Sequence, residues 1–242
     1  MRVLITGASL GIGRATARRL AEPTSELALH YWQHEHDAAE LRRELEPRCR
    51  ATFLVRADLS EPAEIDRLAG AIEARWDGLE ALVLNAGSYP RVQFREMTDA
   101  ELTRCLATNL LGPARLARRL LPLLERAEQG RIVFVTSVLA FTGSTHGAHY
   151  AAAKAGVVGL AHSLALELAP RVRVNLVAPG AIDTAILAGD TPEVRANRAS
   201  KIPMRRVGRP EEVAEAIAYL VSDASSYVTG TTLHVNGGTY PG

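Results

Sequence analysis

The sequence predicts an α/β fold: a doubly wound parallel sheet of about seven strands with helices on both faces. Two observations lead to this prediction. Short apolar runs of strand type alternate with helical patterns along the chain, the order that right-handed β-α-β crossovers produce. A glycine-rich segment at residues 7–13 joins the first strand to the first helix, and glycine or polar residues follow several later strands, as at the ligand-binding edge of such sheets.

The first strand is predicted at residues 2–6, where RVLIT is apolar, and the first helix at residues 12–20, where the pattern is amphipathic. Helical patterns fill the later intervals, and two long ones cover residues 102–124 and 150–168. The chain shows no repeat, low-complexity stretch or linker, so residues 1–242 are expected to form one domain. The further predicted strands are residues 27–31, 52–55, 81–84, 132–136, 172–177 and 232–235.

Composition argues against several classes of function. Lys and Arg number 28 against 27 Asp and Glu, so the charge balance does not indicate nucleic-acid binding. No apolar run approaches the ~20 residues that span a bilayer, and a strand at residue 2 leaves no room for a signal peptide. We therefore expect a cytoplasmic protein without a membrane partner. Cys49 and Cys105 are far apart and His34 and His36 are the closest histidine pair, so we predict no metal site.

The glycines of residues 7–13 lie at a strand-to-helix turn. Gly7, Gly11 and Gly13 let the backbone approach a pyrophosphate, and the free N–H groups at the helix start attract its charge. Any tight turn favours glycine, so the glycines alone are a weak signal of nucleotide binding. Their position between a predicted strand and a predicted helix is what supports it. Other residues at or just past strand ends should gather at the same edge of the sheet: Asp58, Asn85, Ala86, Gly87, Ser137, Pro179 and Gly180.

Tyr150 and Lys154 stand four residues apart in a predicted helix, thirteen residues after Ser137. This spacing places the phenol and the ammonium on one face of the helix. Because a nearby cation favours the phenolate, we expect Lys154 to lower the pKa of Tyr150 from about 10, so that Tyr150 can carry a proton at neutral pH. An isolated pair at this spacing is usually a weak surface contact, so the surrounding motifs decide between the two interpretations.

Together these motifs resemble those of the short-chain dehydrogenase/reductases over essentially the whole chain. Residues 6–13 match the family's TGxxxGxG cofactor loop, and residues 85–87 match its NAG element. The catalytic tetrad of the family matches Asn109, Ser137, Tyr150 and Lys154. The resemblance implies that the nicotinamide cofactor is bound by Gly7, Ser9, Leu10, Gly11, Ile12, Gly13, Tyr31, Trp32, Asp58, Leu59, Asn85, Ala86, Gly87, Asn109, Tyr150, Lys154, Pro179, Gly180, Ile182 and Thr184.

The resemblance also implies a role for each residue of the tetrad. Tyr150 gives a proton to the carbonyl oxygen as hydride arrives from the nicotinamide, and Ser137 hydrogen-bonds the same oxygen. Lys154 tunes Tyr150 and holds the nicotinamide ribose. Asn109, at an irregularity of its helix, places a water that links Lys154 to solvent. Taken alone, Ser137 would be a serine bonded to backbone and Asn109 a turn or cap residue.

The end of the second strand bears on the choice of cofactor. A carboxylate there accepts the ribose hydroxyls of NAD, whereas basic side chains neutralise the 2′-phosphate of NADP. Tyr31 replaces the Asp of NAD-preferring members, and Trp32 and Leu10 replace the Arg that NADP-preferring members commonly carry. His34 or Arg14 can still reach a phosphate. We favour NADP over NAD, because without a carboxylate at position 31 nothing there repels the 2′-phosphate of NADP.

Within the family, residues 136–156 and 202–238 are most similar to the bacterial 3-oxoacyl-[acyl-carrier-protein] reductases of fatty acid synthesis. The predicted function is reduction of a 3-oxoacyl thioester with NAD(P)H, with acyl carrier protein as a candidate partner. The alternative is an NAD-dependent secondary-alcohol or sugar dehydrogenase. A nucleotide-binding sensor and a structural oligomer are further hypotheses, which the intact Ser137, Tyr150 and Lys154 oppose.

Three surfaces are predicted beyond the catalytic centre. Residues 88–93 and the loop at residues 185–203 are expected to recognise the substrate and close over it. Apolar faces at residues 102–124 and 150–168, with residues 232–242, are expected to build the homotetramer that the resemblance implies. A basic rim that attracts a carrier protein is predicted from Arg126, Arg131, Arg171 and Arg173, with ordinary surface charge as the alternative.

Overall fold

The fold was described from a computed structural model, which covers residues 1–187 and 189–242. Its strands are β1 (Arg2–Ile5), β2 (Glu26–Tyr31), β3 (Ala51–Arg56), β4 (Ala81–Leu84), β5 (Gly130–Val135), β6 (Val172–Pro179) and β7 (Thr232–Val235). They form one parallel sheet in the order β3-β2-β1-β4-β5-β6-β7. The strand order reverses between β1 and β4, which is the switch point where doubly wound sheets bind ligands. The seven predicted strands and the fold class are therefore confirmed.

Helices cover both faces of this sheet. They are α1 (Gly11–Leu20), α2 (Glu35–Leu45), α3 (Pro62–Glu73), α4 (Asp99–Leu106), α5 (Gly112–Arg126), α6 (Leu139–Thr142), α7 (Ala148–Leu168), α8 (Pro192–Lys201) and α9 (Pro210–Val221). Leu4 of β1 belongs to the core on one face, together with residues of α3, α5 and α7. Its neighbours Val3 and Ile5 belong to the core on the other face, with residues of α1, α2 and α9. The central strands are thus buried on both faces, which is why they read as continuous apolar runs, whereas the edge strands β3 and β7 are only partly buried.

The helical pattern at residues 102–124 is interrupted. After α4, a turn of π-helix covers Ala107–Leu111 before α5 begins at Gly112. Pro113 has no N–H to continue the α-helical ladder, and a Cβ at Gly112 would overlap the carbonyl oxygen of Leu59. The interruption places Asn109 in the π-helical turn, consistent with the irregular position implied for it.

Helix α7 is long and apolar enough to cross a membrane by length and composition alone. The expectation that no apolar run approaches the length of a membrane span is therefore wrong by the criteria of length and composition. The apolar character also serves the fold, because Val157 and Ala161 of α7 are buried in the core formed with α3 and α5. Lys154 lies buried in the same helix, so α7 positions a candidate catalytic side chain beneath the end of β5.

Candidate active site

The turn after β1 forms a backbone cradle at the carboxyl edge of the sheet. Gly7 and Gly11 have φ of +65° and +53°, in the left-handed region that favours glycine. A Cβ at Gly13 would overlap the Gly7 carbonyl oxygen and lie 2.7 Å from Nδ2 of Asn85. The three glycines let the chain turn tightly onto α1, and they keep its first N–H groups free of covering side chains.

The start of α1 suits an anion. Leu10 precedes the helix and has no side chain that can cap it, and residues 11–14 include no acid. Four orphan N–H groups and the positive end of the helix dipole therefore remain for a ligand. Thr184 approaches this turn, since a Cβ at Gly11 would lie 3.1 Å from its Cγ2. The donors present fit the diphosphate of a dinucleotide.

Hydrogen bonds tie this cradle to the end of β4. Thr6 Oγ1 accepts hydrogen bonds from the N–H groups of Asn85 at 2.9 Å and Ala86 at 3.0 Å. Asn85 Nδ2 donates to the carbonyl oxygens of Thr6 at 2.9 Å and Gly7 at 3.2 Å. The ends of β1 and β4 at the switch point are thus joined through the Thr6 hydroxyl and the Asn85 amide. The bond from Asn85 fixes the carbonyl oxygen of Gly7.

Ser137, Tyr150 and Lys154 meet where β5 ends against α7. Lys154 is 4% exposed, and its Nζ donates a hydrogen bond of 2.8 Å to the carbonyl oxygen of Val135. The same Nζ lies 5.7 Å from the centre of the Tyr150 ring. Ser137 Oγ accepts the N–H of Leu139 at 3.2 Å, which leaves its hydroxyl hydrogen available to another acceptor. The structure therefore brings the three predicted residues together.

The electrostatics of this centre differ from the expectation. Burial raises the pKa of Tyr150 to about 12, against a smaller opposing effect of its hydrogen bond with Ser137. Burial also lowers the pKa of Lys154 to about 8. The prediction that Lys154 lowers the pKa of Tyr150 is thus wrong: desolvation dominates the pKa of the phenol, and the opposing effect comes from Ser137 and not from the ammonium. The phenol is held in its protonated, donating form.

Asn109 braces the loop that follows β4. It is fully buried, and its Nδ2 donates to the carbonyl oxygens of Ser88 and Cys105, each at 3.0 Å. Its Oδ1 accepts the N–H of Ser88 at 3.2 Å. Gly87 lies so close that a Cβ there would approach this Oδ1 to 2.6 Å. The side-chain amide therefore holds residues 87–88 beside the catalytic centre, and the water-placing role stays a prediction.

A second group of predicted residues lies at the ends of β2 and β3. Tyr31 and Leu59 are buried, whereas Trp32 is 37% exposed. Arg104, which the sequence reasoning missed, donates to Asp58 Oδ2 at 2.9 Å and places its guanidinium 5.2 Å from the Trp32 ring centre. Burial opposes ionisation of Asp58, but hydrogen bonds from Ser60 and Arg104 prevail and lower its pKa. Trp32, Asp58 and Arg104 thus form a cluster in which the Arg104 guanidinium lies between a ring and a carboxylate; this cluster is called the corner below.

The two candidate phosphate ligands lie among carboxylates. Arg14 is within 4.0 Å of Asp37, 3.8 Å of Glu40 and 3.9 Å of Glu44. His34 lies 3.6 Å from Asp37. These distances allow only loose ion pairs, and among the described residues the buried Nε of Arg14 has no hydrogen-bond partner.

One set of possible metal-ligating atoms also occurs here. The ligand atoms of His36, Asp37 and Glu40 lie within 4.8 Å of one another at the start of α2. Two of the three residues are exposed, and the guanidinium of Arg14 already provides a positive charge beside both carboxylates. Exposed acidic groups are commonly arranged in this way without an ion, so we assign no metal role.

Two residues of the segment predicted to recognise the substrate, residues 88–93, lie at the entrance to the catalytic centre, which is called its mouth below. The Tyr89 ring lies 4.6 Å from the Tyr150 ring at 45°, and its hydroxyl bonds Ser144 Oγ at 2.8 Å. A Cβ at Gly147 would lie 2.5 Å from the Tyr89 ring, so a larger residue at this position would displace that ring. The guanidinium of Arg91 lies 5.6 Å from the Tyr89 ring centre. Their only sequence signal was their place in residues 88–93.

Charged contacts connect this loop to the predicted substrate loop. Asp190 accepts two hydrogen bonds from Arg198 of α8, at 2.9 and 2.7 Å, and lies 3.9 Å from Arg91. Arg195 pairs with Asp183 at 3.1 Å. Residues 88–93, 183–190 and α8 thus form one rim around the mouth, except that Ala188 lies outside the described residues.

The last predicted segment closes the site beyond β6. Gly180 donates its N–H to the Val235 carbonyl oxygen at 2.9 Å, and a Cβ there would lie 2.8 Å from Asn236. Pro179 ends β6 and Ile182 is buried behind it. Because these residues follow the same edge of the sheet as Ser137, the segment lies beside the catalytic centre.

The predicted basic rim is wrong. Arg131 and Arg173 lie at the amino ends of β5 and β6, at the opposite edge of the sheet, and each is only 9% exposed. Arg131 pairs with Asp223, and Arg173 donates to three carbonyl oxygens around the end of α9. Arg126 and Arg171 are exposed but also lie before β5 and β6, far from the mouth.

Comparison with known proteins gives consistent results. A family model described as enoyl-(acyl carrier protein) reductase matches residues 7–240. Cis-4-hydroxycyclohexanecarboxylate dehydrogenase of Sinomonas cyclohexanicum is 39% identical, over 97% of this chain and 94% of that protein. The 3-oxoacyl-[acyl-carrier-protein] reductase of Escherichia coli (strain K12) is 37% identical, over 98% and 96%. The ligand-free aldohexose dehydrogenase of Thermoplasma acidophilum superposes with a TM-score of 0.88 at 30% identity, over 98% and 93%.

Proposed function

The chain belongs to the short-chain dehydrogenase/reductase family, as an oxidoreductase acting on carbonyl or CH–OH groups with NAD(P), and from this premise we propose that it reduces a 3-oxoacyl thioester with NADPH. The observation that carries the proposal is the protonated phenol of Tyr150, partly buried beside Ser137 and Lys154. A relative of this description, the Escherichia coli reductase, is 37% identical to the chain.

Each residue of the centre has its own role in the proposed reduction. A bound nicotinamide supplies the hydride that adds to the carbonyl carbon. Tyr150 gives its phenolic proton to the carbonyl oxygen, so the product is a secondary alcohol. Ser137 can donate its hydroxyl hydrogen, which it shares with Tyr150 when no substrate is present, to orient that oxygen, and Lys154 stabilises the phenolate left behind, because its ammonium lies near the ring. Asn109 holds the neighbouring loop in place.

The cofactor proposal rests on charge at the end of β2. Tyr31 offers no carboxylate to repel a 2′-phosphate. Arg14 has only loose ion pairs, of 3.8 to 4.0 Å, that a phosphate can replace. The three acids around Arg14 are the main opposing feature, because they reduce its net attraction for an anion. Comparison of kcat/KM with NADPH and NADH decides the preference.

A second candidate function is the oxidation of a cyclic or sugar alcohol with NAD. The observation that favours it is the mouth of the site, where Tyr89 presents a ring beside Tyr150 and Arg91 adds a cation next to it. An aromatic wall suits the apolar face of a sugar or cyclohexane ring, and a guanidinium suits a carboxylate. Relatives include a dehydrogenase of a hydroxycyclohexanecarboxylate and one of an aldohexose.

We further propose a cytoplasmic homotetramer built from one catalytic domain per chain, residues 1–242. Leu102 of α4, Leu111 of the π-helical turn and Leu166 of α7 are exposed, Leu166 by 85%. Such large apolar side chains on neighbouring helices suit pairing with a second copy. Acyl carrier protein is the proposed donor of the thioester, although the predicted arginine rim no longer supports its docking.

The experiment follows 340 nm absorbance with each cofactor and three substrates: an acetoacetyl thioester, a cyclic keto acid with its alcohol, and an aldohexose. Reduction of the thioester that prefers NADPH, and that Tyr150→Phe abolishes, is the expected result. Tyr227→Phe removes the same hydroxyl from a fully exposed ring and serves as the matched control. Turnover of only the cyclic alcohol or the sugar would replace the main proposal with the second candidate.

A further inference from the structure

His30 is a buried polar residue inside an otherwise apolar strand. It lies in β2 and is 2% exposed. Its Nδ1 accepts the N–H of Gly7 at 3.1 Å, and its Nε2 lies 3.0 Å from the carbonyl oxygen of Ala57. Because a carbonyl oxygen can only accept, Nε2 carries the hydrogen and Nδ1 has the free lone pair. Both contacts require the neutral imidazole in this single tautomer.

The two backbone groups belong to different parts of the candidate cofactor site. Gly7 opens the glycine cradle at the start of α1, and its carbonyl oxygen is held from the other side by Asn85. Ala57 directly precedes Asp58, which with Arg104 forms the corner beside Trp32. One imidazole therefore connects the diphosphate end of the site to the adenosine end.

We propose that His30 is a positioning residue for cofactor binding, which sets the Gly7 N–H and the 57–59 segment at a fixed separation. This inference rests on the proposed binding of a dinucleotide but on no particular substrate. An apolar residue at position 30 would fill the strand equally well, yet it would leave a donor and an acceptor without partners at the floor of the site.

The protonation state supports the arrangement. Burial lowers the pKa of His30 to about 4, although the hydrogen bond to Ala57 and the charge of Asp58 oppose the shift. The imidazole is therefore neutral at physiological pH. A protonated ring would direct its Nδ1–H at the Gly7 N–H, so the hydrogen bond that positions Gly7 would be lost.

Two isosteric variants separate the two contacts. The amide oxygen of Asn stands at the same bond separation from Cβ as Nδ1 of His, so His30→Asn can still accept from Gly7. The amide of Gln reaches as far as Nε2, so His30→Gln can still donate to Ala57 but not accept from Gly7. His30→Leu removes both contacts. The readouts are the dissociation constants of NADPH and NADH, kcat at saturating cofactor, and the melting temperature.

The expected result is a rise in the dissociation constant of about tenfold in His30→Asn and in His30→Gln, because each variant breaks one of the two contacts that hold the separation, and a rise at least as large in His30→Leu. At saturating cofactor, kcat should stay within about twofold, because the reacting atoms are not displaced. Wild-type affinity in either single-contact variant would overturn the proposal, as would unchanged dissociation constants with lowered melting temperatures. If the wild type binds nucleotide but reduces no thioester, the proposed function fails while these variants still decide the inference.

Discussion

The two edges of the sheet bury cations in opposite ways. At the amino edge, Arg173 donates to three carbonyl oxygens and Arg131 pairs with Asp223. At the carboxyl edge, Lys154 has one carbonyl partner and a neighbouring phenol. Removing a buried cation from several acceptors takes away hydrogen bonds and costs stability, whereas a buried cation with few partners is available to a ligand. We therefore expect the amino edge to be structural and the carboxyl edge to hold the proposed site.

The largest effect is expected from filling the cradle of the carboxyl edge. In Gly13→Ala the new Cβ overlaps the Gly7 carbonyl oxygen, so the turn must open and the N–H groups of α1 lose their alignment. Cofactor affinity should fall by more than about a hundredfold, measured by titration of nucleotide fluorescence.

The matched control is Gly70→Ala, inside α3 where a Cβ meets open space. Alanine is the better helix former there, so this variant should bind cofactor normally and gain about 0.5–1 kcal/mol of stability. Normal cofactor affinity in Gly13→Ala would show that the cradle is not the binding site.

A large loss of stability is expected from the amino edge. Arg173→Met removes a charged donor from the carbonyl oxygens of Leu220, Ser222 and Val228, which keep only the neutral donors Ser225 and Asn175, and it removes a cation from the end of α9. The free energy of unfolding in urea should fall by about 2–4 kcal/mol, with cofactor affinity unchanged. A loss of activity without a loss of stability would contradict the structural assignment of this edge.

At the carboxyl edge, replacing the buried cation by methionine should raise the free energy of unfolding instead of lowering it. Burial lowers the pKa of Lys154 from 10.5 to about 8, so below pH 8 the folded protein carries a charge that it disfavours. Lys154→Met should abolish activity while raising the free energy of unfolding at pH 7 by about 1–2 kcal/mol, because the lost hydrogen bond to Val135 offsets part of the gain.

The pH dependence sharpens this prediction. Between pH 8 and 10.5 the unfolded wild type binds more protons at Lys154 than the folded protein does. The stability contributed by this lysine therefore rises with pH through that window. The advantage of Lys154→Met in urea denaturation should shrink from pH 8 to pH 10.5. An advantage that stays constant with pH would mean that the ammonium is not destabilised by burial.

The comparison of the two edges also shows what sequence reasoning can reach. The seven strands were predictable because strands buried on both faces are continuous apolar runs. Ser137, Tyr150 and Lys154 were predictable because their spacing follows one strand end and one helix face. The basic rim was wrong because arginines are usually exposed; Arg173 lies inside the predicted strand at residues 172–177, which indicated burial, whereas Arg131 lies one residue before the predicted strand at residues 132–136. The pKa of Tyr150 also depends on burial, which only tertiary packing determines.

Residues 88–93 were predicted to recognise the substrate, but the contacts of Tyr89 and Arg91 within that segment also depend on tertiary packing. Tyr89 reaches Tyr150 only because position 147 is glycine, a contact between segments more than fifty residues apart in the chain. Their importance therefore follows from the packing of the loop after β4 against α7, and substitution at the mouth tests it directly.

The smallest effect is expected at this mouth. Arg91 shares its charge with Asp190 at 3.9 Å, so its attraction for a substrate anion is partly neutralised and should amount to about 1 kcal/mol. Arg91→Leu should lower kcat/KM for acetoacetyl-coenzyme A or a cyclic keto acid about fivefold, and leave a neutral acetoacetyl thioester within about twofold. Arg95→Leu, which removes an exposed arginine from the same loop, is the control. Equal losses for charged and neutral substrates would mean that Arg91 shapes the loop; a loss confined to the charged ones would assign it to recognition of the anion.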